Sequence, residues 1–297
     1  MVKGEFRLVD EGIIKEILRK KQLMEKDPNY HLHYSNGKKK SMKKEADKHS
    51  VSLELEMYDT KTAYGRKRKS RENIRCRRNL SNAMDWGLSH YSGELSQDFI
   101  KQMGYLIEPN LNSEGYRSNK VRIVGAAWSP PSPEKIEREI GIFLLENSCL
   151  DNVIEKAVHN HFHLARVHPF NDGNGRTARA IQNIVLEHSG FFPMVIKPSE
   201  KIDYLHLLDS AVGSYKVAEG NLTLKDSNKL NRIYESFNNP PLTEKEEQYR
   251  KSLVLDIMGA RMAVEQRTFY NFMVLKLRDV LVNESERLYK ESRKSKK

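Results

Sequence analysis

The chain has 297 residues, of which 38% are hydrophobic and 31% are charged, and its formal net charge at pH 7 is +11. No stretch approaches the ~20 consecutive apolar residues that a membrane-spanning helix needs, so no transmembrane helix is predicted. The two cysteines, Cys76 and Cys149, form no CxxC pair and lack zinc-site spacing, which favours a reducing compartment.

The N-terminal residues 1–6 lack the apolar core of a secretory signal, which predicts a cytoplasmic protein of bacterial type and leaves export as an effector open. Basic residues cluster in two segments, 38–48 and 66–78. Such clusters bind nucleic acid, anionic membranes or acidic protein surfaces. A solvated, partly disordered face is the favoured interpretation, and nucleic acid stays open as a partner.

Apolar spacing predicts an amphipathic helix within residues 1–27, with Asp10 as its N-cap. The polar, lysine-rich residues 28–50 read as a linker or flexible loop. Residues 51–58 alternate between apolar and polar types, which fits either a short strand or part of a helix.

Residues 79–240 follow as a compact, mostly helical core, in which Ser96 caps one helix and Pro133 begins another. Residues 116–128 change pattern and predict a small β-hairpin. Thr243 begins a long C-terminal helix with a capping box. The predicted fold class is mainly α, with helical N- and C-terminal extensions (residues 1–78 and 241–297) around the core.

The most informative stretch is residues 168–179, HPFNDGNGRTAR, which lies between two apolar runs with helical spacing. This order predicts a helix, a glycine-rich loop and a second helix. Free backbone N–H groups and the positive end of the helix dipole make such a loop an anion site. Arg176 and Arg179 lie three residues apart and can face one ligand, and arginine forks suit phosphate oxygens.

Each side chain in the loop suits a role in phosphoryl or nucleotidyl transfer. His168 has the pKa range of a general base, and Asp172 offers the carboxylate oxygens that Mg²⁺ prefers. Gly173 and Gly175 allow close approach of the backbone to an anion, and Asn174 offers an amide to the α-phosphate. The alternatives are a structural role for His168, a helix N-cap at Asp172 and a tight turn at the two glycines. Each alternative is reasonable for one residue, but all of them together do not explain this spacing.

Residues 168–179 resemble the signature of the Fic family, HxFx[D/E]GNGRxxR, at every specified position. Arg117, residues 121–125 and the prolines that follow are similar to the "flap" hairpin of the family. The resemblance extends over residues 79–240. It implies a small helical core with a β-hairpin flap, which is the fold class predicted above.

The resemblance also implies a protein adenylyltransferase that moves AMP from ATP to a Ser, Thr or Tyr hydroxyl of a target protein and releases pyrophosphate. Glycine at position 173, where some family members have alanine, favours transfer of AMP over phosphate or phosphocholine. The resemblance implies a role for each of the following residues: His168 as base, Asp172 as Mg²⁺ ligand, Gly173, Asn174 and Gly175 as anion hole, Arg176 and Arg179 as nucleotide ligands, Tyr204 in the adenine pocket, and Val121, Arg122, Ile123, Val124 and Gly125 as target-binding flap.

Many members of the family carry an inhibitory helix, [S/T]xxxE[G/N], whose glutamate pairs with the second arginine of the signature. Two near matches place the inhibitory glutamate at Glu72 or Glu247. Glu247 is the better placed, and we hypothesise that it reaches Arg179, although a helix N-cap at Thr243 is the simpler interpretation. A separate inhibitory protein is the alternative partner, and the long terminal helices are compatible with a homodimer.

Two other functions remain open on the same residues: removal of AMP or transfer of another phosphate-containing group on the same fold, and a non-enzymatic regulator that binds nucleic acid. His159 and His163 are spaced for a metal, but without an acidic or cysteine partner nearby in sequence they are interpreted as core histidines. His161 is interpreted as structural, behind the loop.

Overall fold

The structure, a computed structural model, describes residues 7–27, 30, 36–54, 63–222, 224–236 and 243–294; within these ranges the chain is helical and contains no strand. The helices are α1 (Glu11–Glu25), α2 (Asn36–Ser52), α3 (Ala63–His90), α4 (Gln97–Ile107), α5 (Ile136–Cys149), α6 (Val153–Val167), α7 (Asn174–His188), α8 (Lys201–Gly220), α9 (Leu224–Ser236), α10 (Glu244–Arg261) and α11 (Val264–Lys294). Short 3₁₀ turns, Pro133–Lys135 and Pro198–Glu200, precede α5 and α8. No helix among the described residues is long and apolar enough to cross a membrane.

Helices α6 and α7 form the centre of the core and pack against each other more extensively than any other pair of helices in the described residues. Both helices are buried around almost their whole circumference, since side chains on every face of α6 are covered. Helices α3 and α4 cover α7, α5 covers α6, and α8 packs against α11. Burial of both helices fixes the ends between which the glycine-rich loop runs.

Three predicted helix starts are confirmed, and each owes its position to a side-chain cap. Asp10 accepts hydrogen bonds from the first N–H groups of α1, Ser96 accepts from Phe99 N, and Thr243 accepts from Glu246 N. These oxygens satisfy N–H groups that have no acceptor within the helix. The turn at Pro133 leads directly into α5, as its sequence predicts.

The predicted linker at residues 28–50 is wrong for its described part, because residues 36–52 form α2. The many lysines conceal in the sequence that one face of α2 is buried. Ala46, Ser50 and Val51 are buried, whereas Lys44 and Lys48 are exposed. Helix α2 packs against α3 and α7. The alternation at residues 51–58 therefore begins as the end of a helix, and residues 55–58 lie outside the described residues.

Helix α3 runs without a break across the predicted boundary between residues 78 and 79. Cys76 and Leu80, on either side of that boundary, are both buried in the same core. The division of the chain into three regions stays a prediction, and the secondary structure shows no interruption at its first boundary.

The predicted β-hairpin at residues 116–128 is not paired as strands; the segment is an irregular loop with a turn at residues 124–125. Within the loop, Ala126 N donates to Ile123 O at 3.3 Å, a turn contact instead of a ladder. The loop is held by side chains, as described below, and we call residues 117–131 the flap.

Candidate active site

The end of α6 and the start of α7 shape the loop that carries the signature. His168 ends α6 in the left-handed conformation (φ 51°, ψ 57°), and it is the one non-glycine residue with positive φ among those described. Histidine tolerates this conformation better than most side chains, at some cost in backbone strain. Gly173 (φ 78°) turns the chain again and begins α7. The two turns bring the side chain of His168 and the N-terminus of α7 to one cavity.

The amide of Asn174 holds the loop in this shape. Its oxygen accepts from Phe170 N at 2.8 Å, and its nitrogen donates to Phe170 O at 2.9 Å. Asn112 also donates to Asp172 O at 3.0 Å. Because both polar atoms of the Asn174 amide are used within the loop, an anion at this position would be bound by the first backbone N–H groups of α7, which have no acceptor within the helix.

The predicted site residues converge on one cavity of about 620 Å³. Residues of the signature line one side, the flap and α8 line another, and the end of α2 and part of α3 complete the wall. The predicted residues among them are His168, Asp172, Gly173, Asn174, Gly175, Arg176, Arg179, Tyr204, Val121, Arg122, Ile123, Val124, Gly125 and Glu72. Glu247 is not among the lining residues.

Both arginines of the signature are buried and paired with Glu54, which lies just after α2. The Oε2 atom of Glu54 lies 2.6 Å from Arg176 Nε, and its Oε1 atom lies 2.7 Å from Arg179 Nη2. Ser50 adds two contacts to Arg179, since its hydroxyl and its carbonyl accept at 2.8 and 3.0 Å. One carboxylate thus occupies the groups that are expected to bind phosphate.

The charges around these arginines are closely matched by carboxylates. Arg176 also contacts Glu108 at 3.3 Å and Asp172 at 3.3 Å, and Glu108 in turn pairs with Arg75. Burial works to raise the pKa of Glu54, but Arg179 and Arg176 hold that pKa below its ordinary value. Glu54 is therefore ionised at neutral pH, and an incoming polyphosphate must displace it.

The inhibitory glutamate predicted from the sequence needs correction. Glu247 is exposed in the first turn of α10, whereas Arg179 bonds Glu54 and Ser50. Thr243 caps α10, as the simpler interpretation of that segment proposed. Glu72 does line the cavity, but its carboxylate pairs with Arg75.

Sequence reasoning missed Glu54, although a signal was present. Ser50 precedes it by four residues, which is the spacing of Ser/Thr and Glu in the inhibitory pattern quoted above. Leu55 stands where the pattern requires Gly or Asn, and the lysine-rich surroundings resemble a linker. Relaxing the last position of the pattern would have found it.

The imidazole of His168 lines the cavity and is neutral at physiological pH. Its Nδ1 atom lies 3.4 Å from Ala165 O, and an Nδ1–H that donates to this carbonyl leaves Nε2 free to accept a proton. Burial is the main cause that lowers the pKa of His168 to about 4, and the charge of Arg117 acts in the same direction. The imidazole is therefore unprotonated at neutral pH, as a general base requires.

Asp172 presents to the cavity a carboxylate that could hold a divalent cation. Its side chain is half-exposed, one oxygen accepts from Gly173 N at 2.7 Å, and the other lies 3.3 Å from Arg176. Hard cations take carboxylate oxygens of this kind together with substrate phosphates. Burial raises the pKa of Asp172, while Arg176 opposes that rise.

Tyr204 of α8 lies at the far wall of the cavity and is buried. Its hydroxyl lies 2.9 Å from His161 Nε2, so His161 supports the wall from behind. Burial lowers the pKa of His161 to about 3, which keeps the ring neutral. These contacts agree with the structural role predicted for His161.

His159 and His163 have an acidic neighbour after all, since Glu146 of α5 lies 3.5 and 3.7 Å from their Nε2 atoms. The three could hold a metal by distance alone. Arg261 pairs directly with Glu146, and Arg166 Nε donates to His163 Nδ1 at 3.3 Å. Two guanidinium groups repel a cation, and the bond to Nδ1 places the proton of neutral His163 on Nε2. The cluster is better described as a buried polar network than as a metal site.

Comparison with known proteins identifies the domain that carries this cavity. The family model described as "Fic/DOC family" matches residues 94–186, which include α4 to most of α7 and the whole signature. The chain contains a Fic/DOC family domain. The resemblance stated from the signature is thereby confirmed, and the domain is called the Fic domain below.

Curated relatives match the Fic domain and little beyond it. A protein of Nematostella vectensis named "Protein adenylyltransferase Fic" is 36% identical over 105 residues, which are 34% of this chain and 24% of the relative. A protein of Caenorhabditis elegans named "Protein adenylyltransferase fic-1" is 34% identical over 122 residues, which are 39% of this chain and 24% of the relative. The matched part of the chain thus spans about a quarter of the length of these relatives.

Solved structures share the fold over most of the chain. A Fic family protein from Desulfovibrio desulfuricans G20 has a TM-score of 0.54 at 15% identity, covering 93% of this chain and 75% of that one. A Fic domain containing signaling protein from Bacteroides thetaiotaomicron has a TM-score of 0.53 at 17% identity, covering 90% of this chain and 98% of that one. These likenesses establish the mainly helical Fic fold.

Proposed function

We propose that the protein transfers AMP from ATP to a hydroxyl group of a target protein. The observation that carries the proposal is the convergence, on one cavity at the N-terminus of α7, of a neutral histidine, a half-exposed aspartate and two arginines. The names of the curated relatives, protein adenylyltransferases, support the same activity.

The reaction assigns one task to each group. His168 Nε2 takes the proton of the target hydroxyl as its oxygen forms a bond to the α-phosphorus of ATP. The bond from that phosphorus to the oxygen bridging to the β-phosphate breaks, and pyrophosphate leaves. The N-terminal N–H groups of α7 and the guanidinium groups of Arg176 and Arg179 bind the charged oxygens.

A magnesium ion bound with ATP would be held by Asp172 and would neutralise part of the phosphate charge. Tyr204 and the cavity wall of α8 would receive the adenine ring, which is the role that the resemblance implied for this tyrosine.

The flap is the proposed site for the target segment. Val124 is 86% exposed at the tip of the flap, next to the cavity. The backbone of residues 121–125 would pair with an extended segment of the target, as an added strand pairs with a sheet edge. Such pairing would present a Ser, Thr or Tyr hydroxyl to His168.

We further propose that the protein is held inactive by its own Glu54. Glu54 pairs with both arginines, so ATP phosphates and this carboxylate compete for the same guanidinium groups. Inhibition of this kind needs no separate inhibitory protein. Movement of the end of α2 away from α7 would release the arginines.

Incubation with ATP labelled at the α-phosphate, Mg²⁺ and a cell lysate tests the proposed activity. Labelled protein is expected with the Glu54→Gly variant, and none with Glu54→Gly combined with His168→Ala. Label that arrives from γ-labelled ATP instead would show phosphate transfer, and label that persists without His168 would refute the mechanism.

A further inference from the structure

Arg117, at the start of the flap, is buried and connects the flap to the backbone of His168. Its Nε donates to His168 O at 2.8 Å, its Nη1 to Asn119 O at 2.8 Å, and its Nη2 to Pro131 O at 2.7 Å. Its backbone N also donates to Pro169 O at 2.8 Å. One guanidinium group thus holds both ends of the flap and the carbonyl of the proposed base.

The charge of Arg117 is not balanced by a direct ion pair. Among the described residues, no carboxylate lies within 4 Å of this guanidinium, in contrast to Arg176 and Arg179. Burial lowers the pKa of Arg117. Neutral donors can also bond carbonyl oxygens and would hold the flap in place. A buried cation carries an additional desolvation cost, which holding the flap alone does not require.

The contacts of Arg117 meet the two special requirements of His168. The left-handed backbone of His168 is strained, and a charge-assisted hydrogen bond to its carbonyl offsets part of that strain. A nearby positive charge also disfavours a second positive charge on the imidazole. Among the described residues, Arg117 and Glu54 are the charged groups that act on the pKa of this imidazole, and they act in opposite directions.

We propose that Arg117 is a positioning residue for His168: it fixes the backbone of the base, places a positive charge beside the imidazole and ties the flap to the base. Arg117 thereby fixes the position of a target segment bound to the flap relative to His168. The inference rests on the proposed function, because it assigns His168 the role of base and the flap the role of target platform.

Three variants of Arg117 and one control variant separate this role from simple fastening of the flap. Arg117→Lys keeps the charge but loses the three-way fork, and Arg117→Met loses both; Arg117→Gln is the second neutral variant, for use should the methionine variant fail to fold. Lys216→Met is the control at the other end of the flap, where Lys216 bonds Ser129 O without reaching His168. All are made in the Glu54→Gly variant, which frees the cavity.

The first measurement is an NMR titration of labelled histidines, with the His168 signal assigned by its loss in His168→Gln. We expect the pKa of His168 to rise by about one pH unit in Arg117→Met and Arg117→Gln, and to stay near its starting value in Arg117→Lys and Lys216→Met. An unchanged pKa in the neutral variants would overturn the proposal. An equal rise in Lys216→Met would also overturn it, because a loosened flap would then be the cause.

The second measurement is the rate of label transfer from α-labelled ATP to lysate protein. Because the fork geometry is lost in Arg117→Lys as well as in Arg117→Met, both should transfer label about 10- to 100-fold more slowly. Full activity of both variants would contradict positioning. Should Glu54→Gly itself transfer no label, the proposed function fails, and the titration still decides the role of Arg117.

Discussion

At the scale of single residues, the site depends on side chains that hold the loop as much as on those that face the ligand. Asn174 bonds both polar groups of Phe170, and Arg117 bonds the carbonyl of His168. Arg176 and Arg179 are held by carboxylates of three different segments: the end of α2, the end of α4 and the loop itself. The geometry of the proposed base and of the proposed anion site is therefore fixed by contacts within the chain.

Replacement of Asn174 by alanine should destabilise the loop strongly. The change leaves Phe170 N and Phe170 O buried without partners, and each unsatisfied group costs about 1–3 kcal/mol. We expect the free energy of unfolding to fall by about 2–4 kcal/mol in urea titrations. Asn171→Ala is the matched control, because Asn171 is exposed and gives a single bond to Leu111 O, so a comparable loss there would contradict the assignment.

The loop was predictable residue by residue because its groups are contiguous in the sequence. Twelve residues contain the base, the acid, the glycines and both arginines, and helix geometry alone brings them together. Glu54 was not predictable in this way, since it reaches Arg176 and Arg179 across 122 and 125 residues. Such a contact depends on how α2 packs, which the lysine-rich composition conceals.

At the level of secondary structure, a few buried apolar side chains hold α2 against the core. Ala46 and Val51 are buried, and Ser50 and Glu54 reach Arg179 from the same end of the helix. Helices stay docked mainly through burial of an amphipathic face. A weaker apolar contact should therefore weaken the docking of α2 without removing a partner of the ion pairs.

Val51→Ala should raise the rate of label transfer relative to the wild type. The lost burial is worth about 1–2 kcal/mol, and each 1.4 kcal/mol shifts the docking equilibrium of α2 about tenfold. Transfer from α-labelled ATP is the measurement. Ser52→Ala, at a half-buried position whose hydroxyl bonds only Lys48 O, is the control, and activation of both variants alike would argue against docking through Val51.

The strand predicted in the flap is absent for a physical reason. Alternation in residues 121–124 is typical of a strand, but a strand needs a partner for its backbone groups. Arg117 and Pro131 instead tie the ends of the segment together through a side chain, and Asp209 accepts from Ala127 N at 2.9 Å. The predicted strand is therefore absent in the described structure, and the pairing partner is the one we propose that a target supplies.

At the scale of the whole molecule, α6 places several neutral histidines inside the core. His159, His161 and His163 are all fully buried, and burial lowers the pKa of His159 and of His161 to about 3 and that of His163 well below its ordinary value. An unfolded histidine binds a proton near pH 6.5. Between that pH and the folded pKa, the unfolded state therefore holds more protons, and stability falls as the pH falls.

The protein should consequently melt at a lower temperature at pH 5 than at pH 7. Each of the three histidines contributes up to about 2 kcal/mol of this loss at pH 5, since one pH unit corresponds to about 1.4 kcal/mol. Calorimetry or circular dichroism at both pH values checks the result. The drop should be smaller in His161→Gln, and an equal melting temperature at the two pH values would show that these rings are not neutral in the fold.

We propose a nucleotidyl transfer site whose residues are all in place and which Glu54 holds closed. The most direct test compares the wild type, Glu54→Gly and Glu247→Gly for ATP affinity by calorimetry and for transfer of α-label. Loss of two buried ion pairs should raise both affinity and transfer about 10- to 100-fold in Glu54→Gly, while Glu247→Gly should match the wild type. Equal behaviour of Glu54→Gly and the wild type, or activation by Glu247→Gly instead, would contradict the account.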